Sequence, residues 1–402
     1  MRSKIFRFLL GVMLMLVVSA LLAFNALLLW VATGPRSLAA VTPYIESALS
    51  SSDGSYNVKI GETRLIWDGW KHPVDIRLSS VAVLTKDGNI FTIFPEIALG
   101  VDILYLPLGK IMPTSLTITA PLMDLVQNDD RSFGFGFKQQ NVENSEVSAP
   151  TVPFSVLLTS FLTQSDEGNF SHLRKIAIHD AGLRVVNSKQ VMFFDARDLN
   201  LEMLRNKHGE ITVNSSSSIH YKDFSSSIYT RFFFKPSQPT IVGEVEFSEL
   251  MPDILAGLFS DNVDIKSFAV PINGKINLSL NIQGDILYMG ADIYGGKGSI
   301  NSSRLSAPIP IESLHVKSSF TDNFRTLKLE LLSANLDGVK LAANANAKFF
   351  DTKSEPDASP EIVANISLKD VPSDKVNILW PLTLSTLTRE WVTGSISGGK
   401  IV

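Results

Sequence analysis

At 402 residues with 45% apolar side chains, the chain is long enough for two or three domains, each with its own core. Its 36 Lys and Arg against 40 Asp and Glu leave a net charge of −4 with no basic stripe, which argues against nucleic acid as a partner. Cysteine is absent, and with it any disulfide, thiolate metal site or cysteine nucleophile.

The first element is apolar. Phe8 to Ala32 carries no charge over 25 residues and lifts the mean hydropathy to +0.17. As a helix it would measure roughly 37 Å, enough to cross a ~30 Å hydrocarbon core with some tilt. The spacing predicts a transmembrane anchor that includes Phe8, Leu16, Leu22 and Leu28, with Trp30 at the far interface. It is longer than the apolar core of a cleaved signal peptide. Arg2, Lys4 and Arg7 precede it, so the positive-inside rule keeps the N-terminus cytoplasmic and sends the rest of the chain across.

Arg36 to Ser50 then has near-helical apolar spacing at Leu38, Val41, Ile45, Ala48 and Leu49, which predicts a short amphipathic helix. From Tyr56 onward the period changes to two, the signature of strands, with turn signals at Asp53-Gly54, Asp68-Gly69, Asp87-Gly88, Asn273-Gly274, Gly295-Gly296 and Asp337-Gly338. Alternation is clear in Leu116–Ala120, Ile176–Ile178, Ile241–Phe247, Leu327–Leu331, Val339–Phe349 and Ile362–Leu368. Leu116 to Val126 and Leu173 to Val186 share a shape, strand then tight turn then strand, which predicts stacked hairpins. The longest alternation runs from Ile272 to Ile286. It predicts one very long strand, or a sheet that turns a corner at Gly274 and Gly284, with Ile276, Leu278, Leu280, Ile282 and Ile286 on one face.

Three helical interruptions are expected: Phe154 to Thr163, Glu249 to Phe259, and Ser373 to Trp391, the last broken at Trp380-Pro381. Polar linkers are expected at Gln139 to Pro150 and Asp351 to Pro360. The fold class is therefore mainly β.

Motifs that would carry chemistry are missing. Gly295-Gly296-Lys297 lacks the spacing of a phosphate-binding loop, and neither G-x-S-x-G nor H-E-x-x-H occurs. Six histidines (His72, His172, His179, His208, His220, His315) stand singly, and Asp129-Asp130 reads as a polar turn. Phe133, Phe135 and Phe137 form a one-faced aromatic ladder, and Phe232 to Phe234 concentrate three more rings. Both read as sheet core or as ligand contact. No cofactor or metal is implied, and the expectation is a protein that is not an enzyme.

Several stretches resemble the AsmA-like superfamily of bacterial envelope proteins, in particular its YhdP-type members. Pro95 to Leu104, Leu108 to Ile111 and Leu116 to Leu122 resemble the opening module, and Leu173 to Val186 the recurrent hairpin. Phe247 to Ala256 with Phe268 to Gly274 resembles the helix-to-long-strand junction. Val371 to Pro381 with Arg389 to Val392 resembles the Trp-Pro element that precedes a further groove segment. The resemblance implies an N-terminal transmembrane helix followed by an elongated, twisted, trough-like antiparallel β-sheet, single-pass in the bacterial inner membrane with its bulk in the periplasm. Its implied role is passive conduction of phospholipids between the inner and outer membranes, with other envelope proteins as partners at each membrane. The candidate lipid-groove residues are Ile276, Leu278, Leu280, Ile282, Ile286, Ile176, Ile178, Leu327, Leu329 and Leu331. The expected divisions are 1–35 (cytoplasmic tip and anchor), 36–150 (first groove module), 151–370 (second module) and 371–402 (Trp-Pro element and the start of another segment, as in the N-terminal portion of a longer chain). The competing reading is a periplasmic scaffold that captures strands of outer-membrane proteins by β-augmentation.

Overall fold

The computed structural model describes residues 36–50, 56–66, 75–86, 90–102, 112–128, 133–137, 152–153, 172–187, 192–221, 224–258, 265–282, 285–349, 359–372, 375–379 and 400–401, with isolated positions between and before them. It is mainly β and mostly antiparallel, in two compact units. The first holds residues up to 120 with 172–176, and the second holds 121–137 and the described residues from 177 onward.

The first unit begins with β1 (Arg36–Ser37) and helix α1 (Thr42–Leu49). It continues through β2 (Tyr56–Ile66), β3 (Asp75–Thr85), β4 (Ile90–Val101) and β5 (Pro113–Thr119), each antiparallel to the next strand. Pro43 suits the first turn of α1, and Ile45 and Leu49, four apart, are its buried face. The helix blunts the edge of β2. The Glu46 carboxylate accepts from Ile60 N–H at 2.8 Å, and Ser50 Oγ accepts from Val58 N–H at 2.9 Å.

Burial along these strands does not keep a strict period of two. Ile60 and Thr63, Leu78 and Val81, and Phe94 and Ile97 are buried at a spacing of three. Register explains this, because Ile60 pairs with Val81 and Glu62 with Ser79, so Gly61 and Ser80 share one irregular position, and Pro95 stands next to them on β4. Ser80 is left-handed, with φ 54°. One residue of that kind inserts a step without turning the buried face outward.

The second unit contains β6 (Leu122–Gln127), β7 (Phe133–Phe137), β8 (Val152–Pro153) and most of β9 (Lys175–Asn187). Next come β10 (Met192–Arg205), β11 (Ile211–Tyr221), β12 (Phe224–Lys235) and β13 (Gln238–Leu250). β14 (Phe268–Ala269) precedes β15 (Ile272–Asn281) and β16 (Ile286–Gly295), and the short β17 (Gly298–Ile300) and β18 (Ile309–Ile311) follow. The run closes with β19 (Ser313–Thr321), β20 (Thr326–Leu336), β21 (Val339–Lys348) and β22 (Glu361–Lys369), then β23 (Val371–Pro372), helix α2 (Val376–Leu379) and β24 (Lys400–Ile401). β14, β17 and β18 make a small separate sheet.

Several sequence expectations change here. Ile272 to Ile286 is not one strand: the chain reverses after Asn281, where Asn281 N–H donates to Asp285 O at 3.0 Å and Asp285 N–H to Asn281 Oδ1 at 2.8 Å. Asn273-Gly274 is not a turn and Gly274 is not a bend. It lies in regular register between Phe247 and Ile293, and a Cβ there would come within 2.6 Å of Asp292 O, so glycine serves close strand approach. Gly284 lies outside the described residues. Leu173 to Val186 is not a hairpin, since Asp180 (φ 54°) kinks β9 without reversing it, and β9 pairs with β6 in parallel, from Leu122 opposite Gly182 to Gln127 opposite Asn187. Asp124 and Arg184, opposite each other in that pair, form a bidentate ion pair at 2.6 and 2.7 Å.

Of the helix expected over Glu249 to Phe259, Pro252–Leu258 is helical, as a 3-10 helix, while Glu249 and Leu250 close β13. Asp337-Gly338 does turn, with φ 52° and 85°, as a two-residue hairpin between β20 and β21. Phe154 to Thr163 lies outside the described residues, as does most of Ser373 to Trp391. Of the expected anchor, Phe8, Leu16, Leu28 and Trp30 also lie outside them, while Leu22 is described as helical and exposed. Among the described residues no helix is long and apolar enough to cross a membrane.

Candidate functional site

Directly opposed residues in an antiparallel ladder share a face, so the register can be followed from strand to strand. Starting at Met203 on β10, the partners are Val213, Phe232, Gly243, Leu278 and Met289, then Phe320, Leu327, Ala347 and Ile362 on β22. This row crosses ten strands without a charge, roughly 45 Å at ~4.8 Å per strand. Gly243 leaves no hole in it, because the Phe232 ring lies where its Cβ would be. A parallel row runs Ile228, Phe247, Gly274, Ile293, Val316, Leu332, Ala343, Ile366 on the same face. Between them runs a third row that is polar at Ser318 and at Ser215 and Thr230, the last two hydrogen-bonded to each other through their hydroxyls at 2.7 Å.

The register places Ile276, Leu278 and Leu280 on this face. Ile286 stands opposite Leu280, and Ile282 packs just past the strand end against Ile211, Phe234 and Ile241. Leu327 and Leu329 lie on it too, opposite Phe320 and Ser318. Leu331 does not follow. A bulge in β20 sets it opposite Lys317, and Leu332 takes the next position on the apolar face. Ile176 belongs to the first unit and is buried there, and Ile178 is half-buried on β9 in the second.

Part of the face is covered. Ile254 and Leu255 of the 3-10 turn pack on Phe247, Leu250, Ile272 and Ile293. Val270, Ile309 and Ile311 of the small sheet, with Val371 and Val376, pack on Ala334, Leu336 and Val339. The 3-10 turn follows closely on the left-handed Glu249 at the end of β13, and Leu336 and Val339 flank the Asp337 turn. The remainder is open among the described residues: Leu278, Met289, Phe320 and Leu327 are half-buried, while Ile362 and Ile366 are 61% and 70% exposed. The sequence placed the apolar residues of β15 on one face and singled out Phe232 as sheet core or ligand contact. It missed Met289 and Phe320, whose signal was the same alternation on neighbouring strands.

The opposite face is polar. Lys275 bridges Glu246 at 2.7 Å and Glu244 at 3.1 Å, and the hydrogen bonds it donates to Glu246 and then Glu244 hold its ammonium pKa above the ordinary lysine value. His315 meets Asp292 at 2.8 Å and stacks on Tyr294 at 4.2 Å. An open depression of about 330 Å³ floored by Gly290 lies here, between Tyr288, Asp292 and Lys317, and not on the apolar side. Among the described residues no group of three His, Asp or Glu side chains converges on a point that could hold a metal ion. Phe133 to Phe137 forms β7. Phe233 points away from the apolar rows, with Lys235 Nζ 5.4 Å from its ring centroid.

Comparison with protein-family models, with curated proteins and with solved structures gave no match to this chain.

Proposed function

We propose that the protein is a lipid conduit of the AsmA-like kind: a membrane-anchored periplasmic β-groove whose apolar face holds phospholipid acyl chains on their way between the inner and outer membranes. The observation that carries this reading is the uncharged row from Met203 to Ile362, which crosses ten strands and stays partly open over its middle and far part. A two-tailed lipid entering water exposes its chains at about 0.8 kcal/mol per CH₂, on the order of 25 kcal/mol for two ~16-carbon tails. A continuous apolar surface removes most of that barrier without covalent chemistry. Ordinary soluble sheets bury such a face completely under a second layer. Among the described residues the second layer stops at the 3-10 turn and the small sheet.

The polar step at Ser215 and Thr230 costs little, because the two hydroxyls satisfy each other. The polar face, with Lys275, Glu244, Glu246 and Asp292, suits solvent. The reading involves no catalytic residue, cofactor or nucleic acid, and any driving force comes from partner proteins.

The test is to purify the full chain in mild detergent with a photo-crosslinking side chain at Leu278 or Leu327, and in parallel with Leu278→Glu and Leu327→Glu. Phospholipid crosslinked at both sites, and co-purified lipid lost in the charged variants while far-UV circular dichroism is unchanged, is the expected result. Retention of lipid by the folded charged variants would sink the conduit reading. Crosslinking to peptide with no lipid would point to the scaffold.

A further inference from the structure

The depression of about 330 Å³ on the polar face of the second unit lies over β15, β16, β19 and β20. Its floor, Gly290, is buried although the register sets it on the solvent side of the sheet. A Cβ there would come within 2.5 Å of the Tyr288 phenol oxygen and 3.1 Å of its Cζ, so that ring lies along the strand across the glycine. Tyr294 follows on the same face of β16, roughly 20 Å further along. Its ring is held in place: it stacks on His315 at 4.2 Å and 15°, and Asp292 anchors that imidazole at 2.8 Å. Both tyrosines stay open to solvent, 42% and 50% exposed. Single exposed tyrosines on a strand need no explanation. Two positioned rings flanking a depression, with a glycine cleared beneath one of them, form a platform.

The lining restricts what such a platform can hold. Lys275 and Lys317 stand against Asp292 and Glu330, so the charges cancel. Lys275 is already neutralised by Glu246 and Glu244, and no cluster of free cations invites an anion. Asp292 is engaged by His315, which leaves no converging carboxylates for a cation among the described residues. The Asn277 amide, the Ser319 hydroxyl and the Lys317 ammonium all line the depression and have no hydrogen-bond partner among the described residues. They supply both donors and acceptors to an uncharged ligand. Aromatic faces beside mixed donors and acceptors match a sugar, whose C–H groups rest on the negative π face while its hydroxyls give and accept hydrogen bonds. We propose that this depression is a saccharide-binding site for the interior of an uncharged glycan chain. A chain suits it better than a free monosaccharide, because the platform is long and open, and small ligands held alone are enclosed over most of their surface. The inference holds whatever the apolar face carries.

The test is calorimetric titration of the full chain in mild detergent with maltohexaose, cellohexaose and N-acetylchitohexaose, and with glucose and N-acetylglucosamine. At least one hexaose should bind, about tenfold or more tighter than its own monosaccharide. Its affinity should not change between about 50 and 500 mM salt, because no net charge is neutralised. Tyr288→Ala and Tyr294→Ala should each weaken that hexaose roughly tenfold by removing a stacking face. Gly290→Ala pushes the Tyr288 ring off the glycine and should act in the same direction. Lys317→Met should cost a few-fold. Tyr44→Ala removes an exposed tyrosine from α1 of the first unit and should change nothing. Far-UV circular dichroism checks that each variant is folded. Failure of every hexaose to bind at millimolar concentration would overturn the proposal. So would unchanged affinity in the folded tyrosine variants, a monosaccharide that binds as tightly as its hexaose, or binding that collapses with salt.

Discussion

In the first unit, Leu78, Val81 and Leu99 are shut away from solvent and α1 hydrogen-bonds over the edge of β2. In the second, strands of the same alternating kind leave Leu278, Met289 and Leu327 half-covered and the side chains of β22 exposed. The two units are built from similar strands and similar left-handed irregularities, Ser80 in one and Asp198 and Glu249 in the other. They differ in what lies on the sheet. Apolar alternation therefore does not by itself mean core. It means a face that needs a cover, and the cover is protein in one place and, on the function proposed above, lipid in the other.

The contrast can be broken most forcefully at the buried positions. Leu78→Ala and Leu99→Ala should each destabilise the first unit by about 2 to 5 kcal/mol, the cost of a cavity in a packed site. Leu278→Ala should cost the second unit clearly less, because that side chain is already partly in contact with solvent. Urea unfolding followed by hydrogen exchange resolved by segment separates the two units. Equal losses would mean that the second unit's face is as closed as the first's.

Gly274→Ala comes next. Its Cβ would press on the backbone oxygen of Asp292, and a loss of about 1 to 3 kcal/mol is expected. Gly296→Ala has open space around it and should leave the melting profile unchanged. A smaller effect belongs to the closed edge. Glu46→Ala strips the acceptor from Ile60 N–H, so about 1 to 2 kcal/mol is expected, with faster exchange at the Ile60 and Val58 amides. If those amides stay protected, α1 is not what closes that edge.

The smallest effects are electrostatic and of opposite sign in pH. The hydrogen bond from Arg64 holds the exposed Glu62 carboxyl below its ordinary pKa. Its contribution is present above the ordinary glutamate range and is lost as pH falls through the lowered value. Lys275 is the mirror case, its pKa raised by Glu246 and Glu244. That contribution is present below the ordinary lysine range and is lost as pH rises through the raised value. Glu62→Gln should flatten the first unit's stability profile only on the acid side, and Lys275→Met the second unit's only on the alkaline side. A shift on the wrong side in either titration contradicts the assignment.

Much of the candidate face was legible. The alternation of Ile272 to Asn281 assigned the strand and its apolar side correctly, and Leu327 and Leu329 were read in the same way. The reading failed where one residue changed the count. Asn281 to Asp285 keeps the period of two in sequence while one backbone bond and one from Asp285 N–H to Asn281 Oδ1 close a hairpin. Leu331 keeps the period as well, yet the bulge in β20 moves it to the row of Lys317. A turn or a bulge leaves the composition of the alternating stretch untouched, so pattern alone cannot detect it.

By itself, then, the sequence determined that the described chain is strand-rich, which side of β15 is apolar, and where Asp337-Gly338 would turn, because these depend on neighbouring residues along one strand. The tertiary structure decided that ten strands align their apolar sides into one row and that β6 and β9 run parallel. Among the described residues it also decided that Ile254, Val270 and Val376 cover only part of the face, and that α1 hydrogen-bonds over β2 while the side chains of β22 are exposed. Those outcomes are set by register and packing between residues tens of positions apart. A local period carries no information about which surface a distant segment will reach.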